Sequence, residues 1–184
     1  MFSMNRDEAL SLIREKVKTR NLVKHMLATE ACMRALATRL GGDEARWAMA
    51  GLLHDLDYDE TVNDFTRHGY AACEFLKDKN VPPDILSAIM AHTGHTPVQN
   101  QMDLALYAVD PLTGFLVAAA LMHPTKKIAN VDVAFALNRF KEKRFAAGAD
   151  RDQMKRCEEL GLSLEEFIRI CLGAMQNVAK ELGL

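Results

Sequence analysis

Six residues of two chemical kinds could act together: His25, His54, Asp55, His68, His92 and Asp110. His54 and Asp55 are adjacent and directly follow the apolar run Trp47-Ala48-Met49-Ala50-Gly51-Leu52-Leu53. An imidazole and a carboxylate thus reach one small volume at the end of a helix that is apolar nearly all round, as a buried helix is. His25 lies on a stripe with Leu22, Thr29, Cys32 and Leu36, spaced three and four apart. His68 heads Gly69-Tyr70-Ala71-Ala72, whose small residues allow close helix packing, and His92 ends the apolar run Ala88-Ile89-Met90-Ala91. Asp110 sits beside Leu104-Ala105-Leu106-Tyr107-Ala108-Val109, where a lone ionised carboxylate is very unfavourable without a cation or a dedicated donor. Nitrogen and oxygen ligands of this kind suit iron, manganese, zinc, nickel or cobalt rather than a thiolate site. A plainer reading also exists, a polar core network in which each group is satisfied by hydrogen bonds.

The order His25, then His54-Asp55, then Asp110 resembles the signature of the HD-domain metal-dependent phosphohydrolase superfamily. The flanking text is similar too: Gly-Leu-Leu-His-Asp-Leu-Asp, Arg-His-Gly-Tyr-Ala-Ala, Ala-Ile-Met-Ala-His-Thr-Gly and Tyr-Ala-Val-Asp. With His68 and His92 added, the pattern resembles the binuclear branch, which includes HD-type diadenosine tetraphosphate hydrolases and the HD-GYP cyclic-dinucleotide phosphodiesterases. The resemblance covers roughly residues 21–120. It implies an all-α HD-domain helical bundle and one or two divalent transition-metal ions. His25, His54 and Asp110 would hold one ion, His68 and His92 the other, and Asp55 would bridge them. It further implies a metal-dependent phosphohydrolase, a phosphatase or phosphodiesterase, with His54 and Asp55 at its catalytic centre. The substrate would be a phosphoester of a nucleotide or other small metabolite, cleaved through a metal-activated hydroxide. Two other readings stay open. The ligand pattern also resembles myo-inositol oxygenase, a di-iron oxygenase, and the metal could serve a non-catalytic metal- or nucleotide-binding module.

Binuclear relatives that cut nucleotides often place a lysine soon after the His-Asp pair. Here Asp57, Tyr58, Asp59 and Glu60 follow, with Asp64 close behind, and the Gly-Tyr-Pro segment of the HD-GYP enzymes is missing. Substrate contacts would then come from Arg67, His95, Lys126 or Arg139, the last within a basic run that includes Lys141, Lys143 and Arg144. Asp57 is either an acceptor that orients a ligand histidine or a solvated loop acid. Phe115, Phe135, Phe140 and Phe145 either wall a pocket for a base or belong to the core.

Helices must position these side chains, and the hydrophobic period is close to 3.6 residues almost throughout. Helices are predicted over 6–18 with Asn5 as cap, over 21–40 ending at Gly41-Gly42, and over 44–53 with Asp43 as cap. Further helices are predicted over 65–79, 83–92, 102–122, 131–143 and 151–160. Ser163 and Glu166 form a capping box for a last helix reaching about residue 181. Residues 56–63 read as an acidic loop, and Pro111 with Gly114 predicts a kink or break near Asp110. One domain, 1–184, is the economical organisation, with its core over about 21–122 and a C-terminal helical extension over about 125–184.

Composition agrees with a helical protein. The 184 residues are 49% hydrophobic and 26% charged, and Gly (10) and Pro (5) are too few for many short strands and turns. Lys plus Arg (23) nearly balances Asp plus Glu (25), a formal charge of −2. That balance gives no electrostatic reason to expect a nucleic-acid polymer, so the expected partner is a small-molecule phosphoester, a nucleotide above all. The longest apolar run, 111–122, is about half of the ~20 residues a membrane span needs. The N-terminal Met-Phe-Ser-Met-Asn-Arg-Asp-Glu puts charges where a signal peptide needs an apolar stretch. No membrane partner is therefore expected, and the expected location is cytoplasmic. Cys32, Cys73, Cys157 and Cys171 are scattered without a Cys-x-x-Cys pair and read as free thiols.

Overall fold

The computed structural model describes residues 4–184; the first three, part of the charged N-terminal stretch, lie outside the described residues. Among the described residues every regular element is helical, so the fold is all-α. Chain order gives α1 (Arg6–Lys16), α2 (Arg20–Leu40), α3 (Glu44–Leu53), α4 (Tyr58–Thr61), α5 (Tyr70–Leu76) and α6 (Pro83–His92). Then come α7 (Gln101–Met122), α8 (Val133–Lys141), α9 (Arg151–Lys155), α10 (Leu164–Asn177) and α11 (Ala179–Leu182). Single 3-10 turns occur at Phe65–Arg67, Ile128–Asn130 and Arg156–Leu160. All four cysteines are free, three of them buried.

Short polar side chains start these helices. Asn5 forms a reciprocal capping box with Glu8, and Asp43 accepts from the amides of Ala45 and Arg46. Ser163 accepts from the Glu166 amide, but the Glu166 carboxylate turns away to pair with Arg39 at 2.7 Å, so only half of the predicted box forms.

The central helices are α2 and α7. Helix α2 packs along α3, α7 and α10, and α7 along α6. Gly51 is where α3 meets α2: a Cβ there would stand 2.7 Å from the Thr29 carbonyl oxygen. Only glycine permits that approach, and it brings the end of α3 up to the face of α2 that carries His25.

Helix α7 differs from expectation in that it runs unbroken through Pro111. Proline lacks the N–H that would bind the Tyr107 carbonyl four residues earlier. The Gln153 side-chain amide, on α9, donates to that carbonyl instead at 2.7 Å. The extension thus fills the gap that the proline opens. Helix α7 also has the length and hydropathy of a membrane span, yet 61% of that stretch is buried among its neighbours, as in a core helix.

Two other segments depart from the predicted helices. Residues 56–63 contain the short helix α4 rather than a plain loop. The predicted helix over 65–79 is interrupted: a 3-10 turn ends at Arg67, His68 is extended, and Gly69 takes φ +82° before α5 begins. A Cβ on Gly69 would also stand 2.8 Å from Thr93. The interruption turns His68 inward, where it is 2% exposed.

Candidate metal centre

Five segments deliver the six side chains. His25 comes from α2, His54 and Asp55 from the end of α3, His68 from the break before α5, His92 from the last residue of α6, and Asp110 from the middle of α7. His25 Nε2 lies 3.0 Å from His54 Nε2, 3.0 Å from Asp110 Oδ1 and 3.4 Å from Asp55 Oδ2. On the other side of the same carboxylate, Asp55 Oδ1 lies 3.4 Å from His68 Nε2 and 3.5 Å from His92 Nε2, which are 3.2 Å apart. The two oxygens of Asp55 therefore face two separate nitrogen pairs.

The remaining ring nitrogens fix what those pairs present. His54 Nδ1 donates to the Gly51 carbonyl at 2.8 Å and His92 Nδ1 to the Ile89 carbonyl at 2.5 Å. His68 Nδ1 donates to Asp57 Oδ1 at 2.9 Å. The Thr113 hydroxyl donates to the Asp110 carbonyl at 3.0 Å, so it accepts from His25 Nδ1 at 2.8 Å. With every Nδ1 donating outward, each imidazole that gives up its Nε2 proton aims a lone pair at its neighbour's. Two lone pairs face to face repel unless something positive lies between them. Nitrogen ligands ~2.0–2.1 Å from one ion stand ~3 Å from each other, which is the spacing found in both pairs. The donor set thus fits two cations sharing the Asp55 carboxylate.

Charge in the site points the same way. Burial opposes a positive His25, yet the carboxylates of Asp110 and Asp55 outweigh it and raise its pKa to about 9. Burial likewise opposes charge on His68, and Asp55 with Asp57 raises it to about 9. His54 is raised well above its ordinary value against the same burial, by Asp55 and Asp110. Burial would raise Asp55 and Asp110, but the imidazoles hold both well below the usual carboxylate range. The pocket is built to hold positive charge.

Asp57 is a second finding. It is 1% exposed, so the solvated-loop reading does not hold. Its Oδ2 accepts from the amides of Gly69 and Ala72 at 2.8 and 3.0 Å while Oδ1 holds His68. One carboxylate fixes both the start of α5 and the aim of the histidine.

The centre lies on the floor of a cleft of about 730 Å³ walled by α2, the 55–68 segment, α7 and the extension at Gly148, Asp150 and Gln153. No described Lys or Arg lines it. Arg67 is exposed and pairs with Glu60 at 3.0 Å; Arg139 pairs with Glu142 at 3.0 Å and covers Phe135; Lys126 is exposed. His95 stands just outside the cleft, its Nε2 donating to the Phe65 carbonyl at 2.9 Å. Phe115 is fully buried and packs on Phe140 and Phe145, in the core rather than on the cleft. Sequence reasoning did not single out Thr113, Gln153 or Phe65. The available signals were helical spacing of Thr113 three residues after Asp110 and the unpaired carbonyl implied by Pro111.

The HD domain family matches residues 22–120, more than half of the chain. The chain belongs to the HD-domain family of metal-dependent phosphohydrolases. Its hydrolases use divalent metal ions, and the His/Asp groups His25-His54-Asp55-Asp110 and Asp55-His68-His92 are compatible with one or two of them. Relatives include Ribonuclease Y of a Sulfurovum species, 30% identical over 71% of this chain and 28% of the relative. Ribonuclease Y of Campylobacter jejuni is 25% identical over 88% of this chain and 35% of the relative. Ribonuclease Y of a Nitratiruptor species is 27% identical over 71% of this chain and 27% of the relative. The chain spans about a third or less of the length of these relatives. No solved structure matches it with significance.

These relatives correct one expectation. A small-molecule phosphoester with no nucleic-acid polymer was the expected partner, whereas enzymes named as ribonucleases are its kin. The formal charge of −2 counts side chains only. Divalent ions held at the histidines would add positive charge, so the side-chain balance does not exclude a polyanion.

Proposed function

We propose that the chain is a metal-dependent phosphodiesterase acting on RNA. His25, His54 and Asp110 would hold one ion and His68 and His92 the second, with Asp55 offering a carboxylate oxygen to each group. The observation that carries the reading is the ground around this ligand array. The main cleft shares Asn21, His25 and Gly114 with a second cleft of about 320 Å³ that holds Lys24, Val117 and Leu121. A terminal phosphate needs one mouth, but a bond within a polymer needs room on both sides. Gly114 keeps the junction open, since a Cβ there would meet nothing within 4 Å. The ribonuclease names of the relatives support the same substrate class and disfavour both the di-iron oxygenase and the non-catalytic reading.

The chain's own residues do the positioning. Asp55 offers one oxygen to each nitrogen pair, and Thr113 and Asp57 keep the lone pairs of His25 and His68 aimed at it. His25 and Asp110 are partly exposed, at 21% and 28% of their side chains, so the side of Asp55 that they share faces the cleft. Divalent ions held by these residues would supply a hydroxide at neutral pH and neutralise charge on the phosphoryl oxygens. With no Lys or Arg lining the main cleft, the scissile phosphate depends on them, and Lys24 is placed for a phosphate further along the strand.

The test is cleavage of end-labelled single-stranded RNA by the chain loaded in turn with manganese, iron, nickel and cobalt. Metal-dependent cutting is expected, and Asp55→Ala should abolish it while the helical circular dichroism spectrum survives. Failure to cut RNA with any of the metals, alongside hydrolysis of phosphomonoesters, refutes the assignment.

A further inference from the structure

Four rings stand in a row that leads outward from the metal centre. The His68 ring centroid lies 4.8 Å from Phe65, Phe65 lies 6.0 Å from His95, and His95 stacks on Tyr70 at 5.6 Å with 28° between the planes. The row is fastened. His95 Nε2 donates to the Phe65 carbonyl at 2.9 Å, and the His95 amide donates to Thr93 Oγ1 at 3.1 Å. Yet about half of it is open to solvent: Phe65 is 50% and Tyr70 54% exposed, and Val62, which lines the cleft with Phe65, is 51% exposed. Three of the five large exposed apolar side chains among the described residues gather at this one rim.

Phe65 and Val62 also line the metal cleft, so the patch is continuous with the place where a phosphodiester would be cut. That cleft carries Asp55, Asp59, Asp110 and Asp150 and no described Lys or Arg. Away from the ions, a bare phosphate gains nothing there. The flat face of a base does, because stacking on an aromatic ring needs no charge and every base has such a face.

We infer that Phe65 and Tyr70 form a stacking platform for successive bases of a single-stranded RNA whose phosphodiester lies at the metal centre. The inference rests on the RNA reading proposed above. His95 is the spacer between the two rings, and its hydrogen bond to Phe65 sets their separation. Stacking of this kind accepts any base, so the platform sets strand affinity rather than sequence preference.

The experiment uses the full chain loaded with manganese and a short RNA carrying 2-aminopurine, whose fluorescence falls on stacking. Stopped flow reads the quench before cleavage. Wild type should quench, and Phe65→Ala and Tyr70→Ala should each weaken RNA binding about tenfold, raising KM with kcat unchanged. Phe65→Trp should restore binding. An RNA with abasic riboses at those positions should bind wild type and variants alike, and metal content should be the same in all. Equal affinity of the alanine variants and wild type for base-bearing RNA overturns the platform alone, provided that wild type cleaves RNA. A wild-type dimer that Phe65→Ala splits into monomers would assign the patch to a second copy and overturn it too. A wild type that neither binds nor cuts RNA removes the RNA reading itself.

Discussion

Single residues set the aim of the ligands. Asp57 and Thr113 stand outside the metal-competent groups, but each accepts from an imidazole Nδ1 and so leaves that ring's Nε2 facing inward. Asp57→Asn keeps an acceptor oxygen but turns the other atom into a donor opposite the amides of Gly69 and Ala72. Loss of such a supporting partner commonly costs about 10–100-fold in metal affinity. Asp57→Asn is expected to weaken the His68–His92 position and Thr113→Val the His25–His54 position, each sparing the other. Calorimetric titration with manganese, resolving two binding steps, reads this directly. A pH dependence follows from the same residues. His25 and His68 stand at about 9 against an ordinary 6.5. A group raised in this way stabilises the fold fully below its ordinary pKa and ceases to do so as pH rises through its folded one. Protein stripped with a chelator should therefore lose stability from roughly pH 6.5 towards 9. Metal affinity should climb over that interval, since binding displaces the imidazole protons. A melting temperature of the stripped protein that rises across that range contradicts this. At this scale the six clustered side chains are legible in sequence because charged or ring-nitrogen groups at the ends and centres of apolar runs need a reason. For Asp57 the sequence leaves an orienting acceptor and a solvated loop acid equally open, and only the tertiary fold shows that three donors converge on it.

Elements decide whether the ligands meet. Helices α2, α3 and α6 are readable from period, caps and stops, and Asp43, Gly41 and Pro83 sit where those signals place them. The 65–79 segment is not readable in that way. Its composition suits a helix, but Gly69 at φ +82° and the amides bound by Asp57 stop it after one turn, so tertiary contacts override local preference. Helix α7 errs in the opposite direction, surviving Pro111 because a residue 46 positions after Tyr107, Gln153, takes up the orphaned carbonyl. Gln153→Leu strips that partner from Tyr107, and an unsatisfied carbonyl of this kind costs about 1–3 kcal/mol. Urea unfolding should show that loss. Gly51→Ala drives a methyl against the Thr29 carbonyl 2.7 Å away, forcing α3 off α2 at a cost of about 1–3 kcal/mol. It should also separate His54 from His25 and weaken the first ion more than the second. A Gly51→Ala protein with wild-type stability and metal binding would show that the two helices have slack.

The whole molecule depends on its C-terminal third. Phe167, Ile168, Cys171, Leu172 and Met175 of α10 are buried, and the helix packs on α2. Fully burying each large apolar side chain contributes about 1.5–3 kcal/mol, so this face is comparable to the net stability of a small domain. Removing residues 125–184 should leave a chain with helical far-ultraviolet signal but no fixed near-ultraviolet signal, because α2 and α7 would lose their cover. A cooperative, fully native spectrum would make 21–122 an independent domain. The amphipathic pattern of that segment is plain in the sequence, whereas its duty at the cleft is not, since nothing local places Gly148, Asp150 and Gln153 across from Asp110. The amide that Gln153 gives to Tyr107 bolts this far wall to the ligand-bearing helix. A bolted wall makes the trough stiff: prising it wider means breaking that part-buried hydrogen bond first, so its span is held by one amide rather than by packing alone.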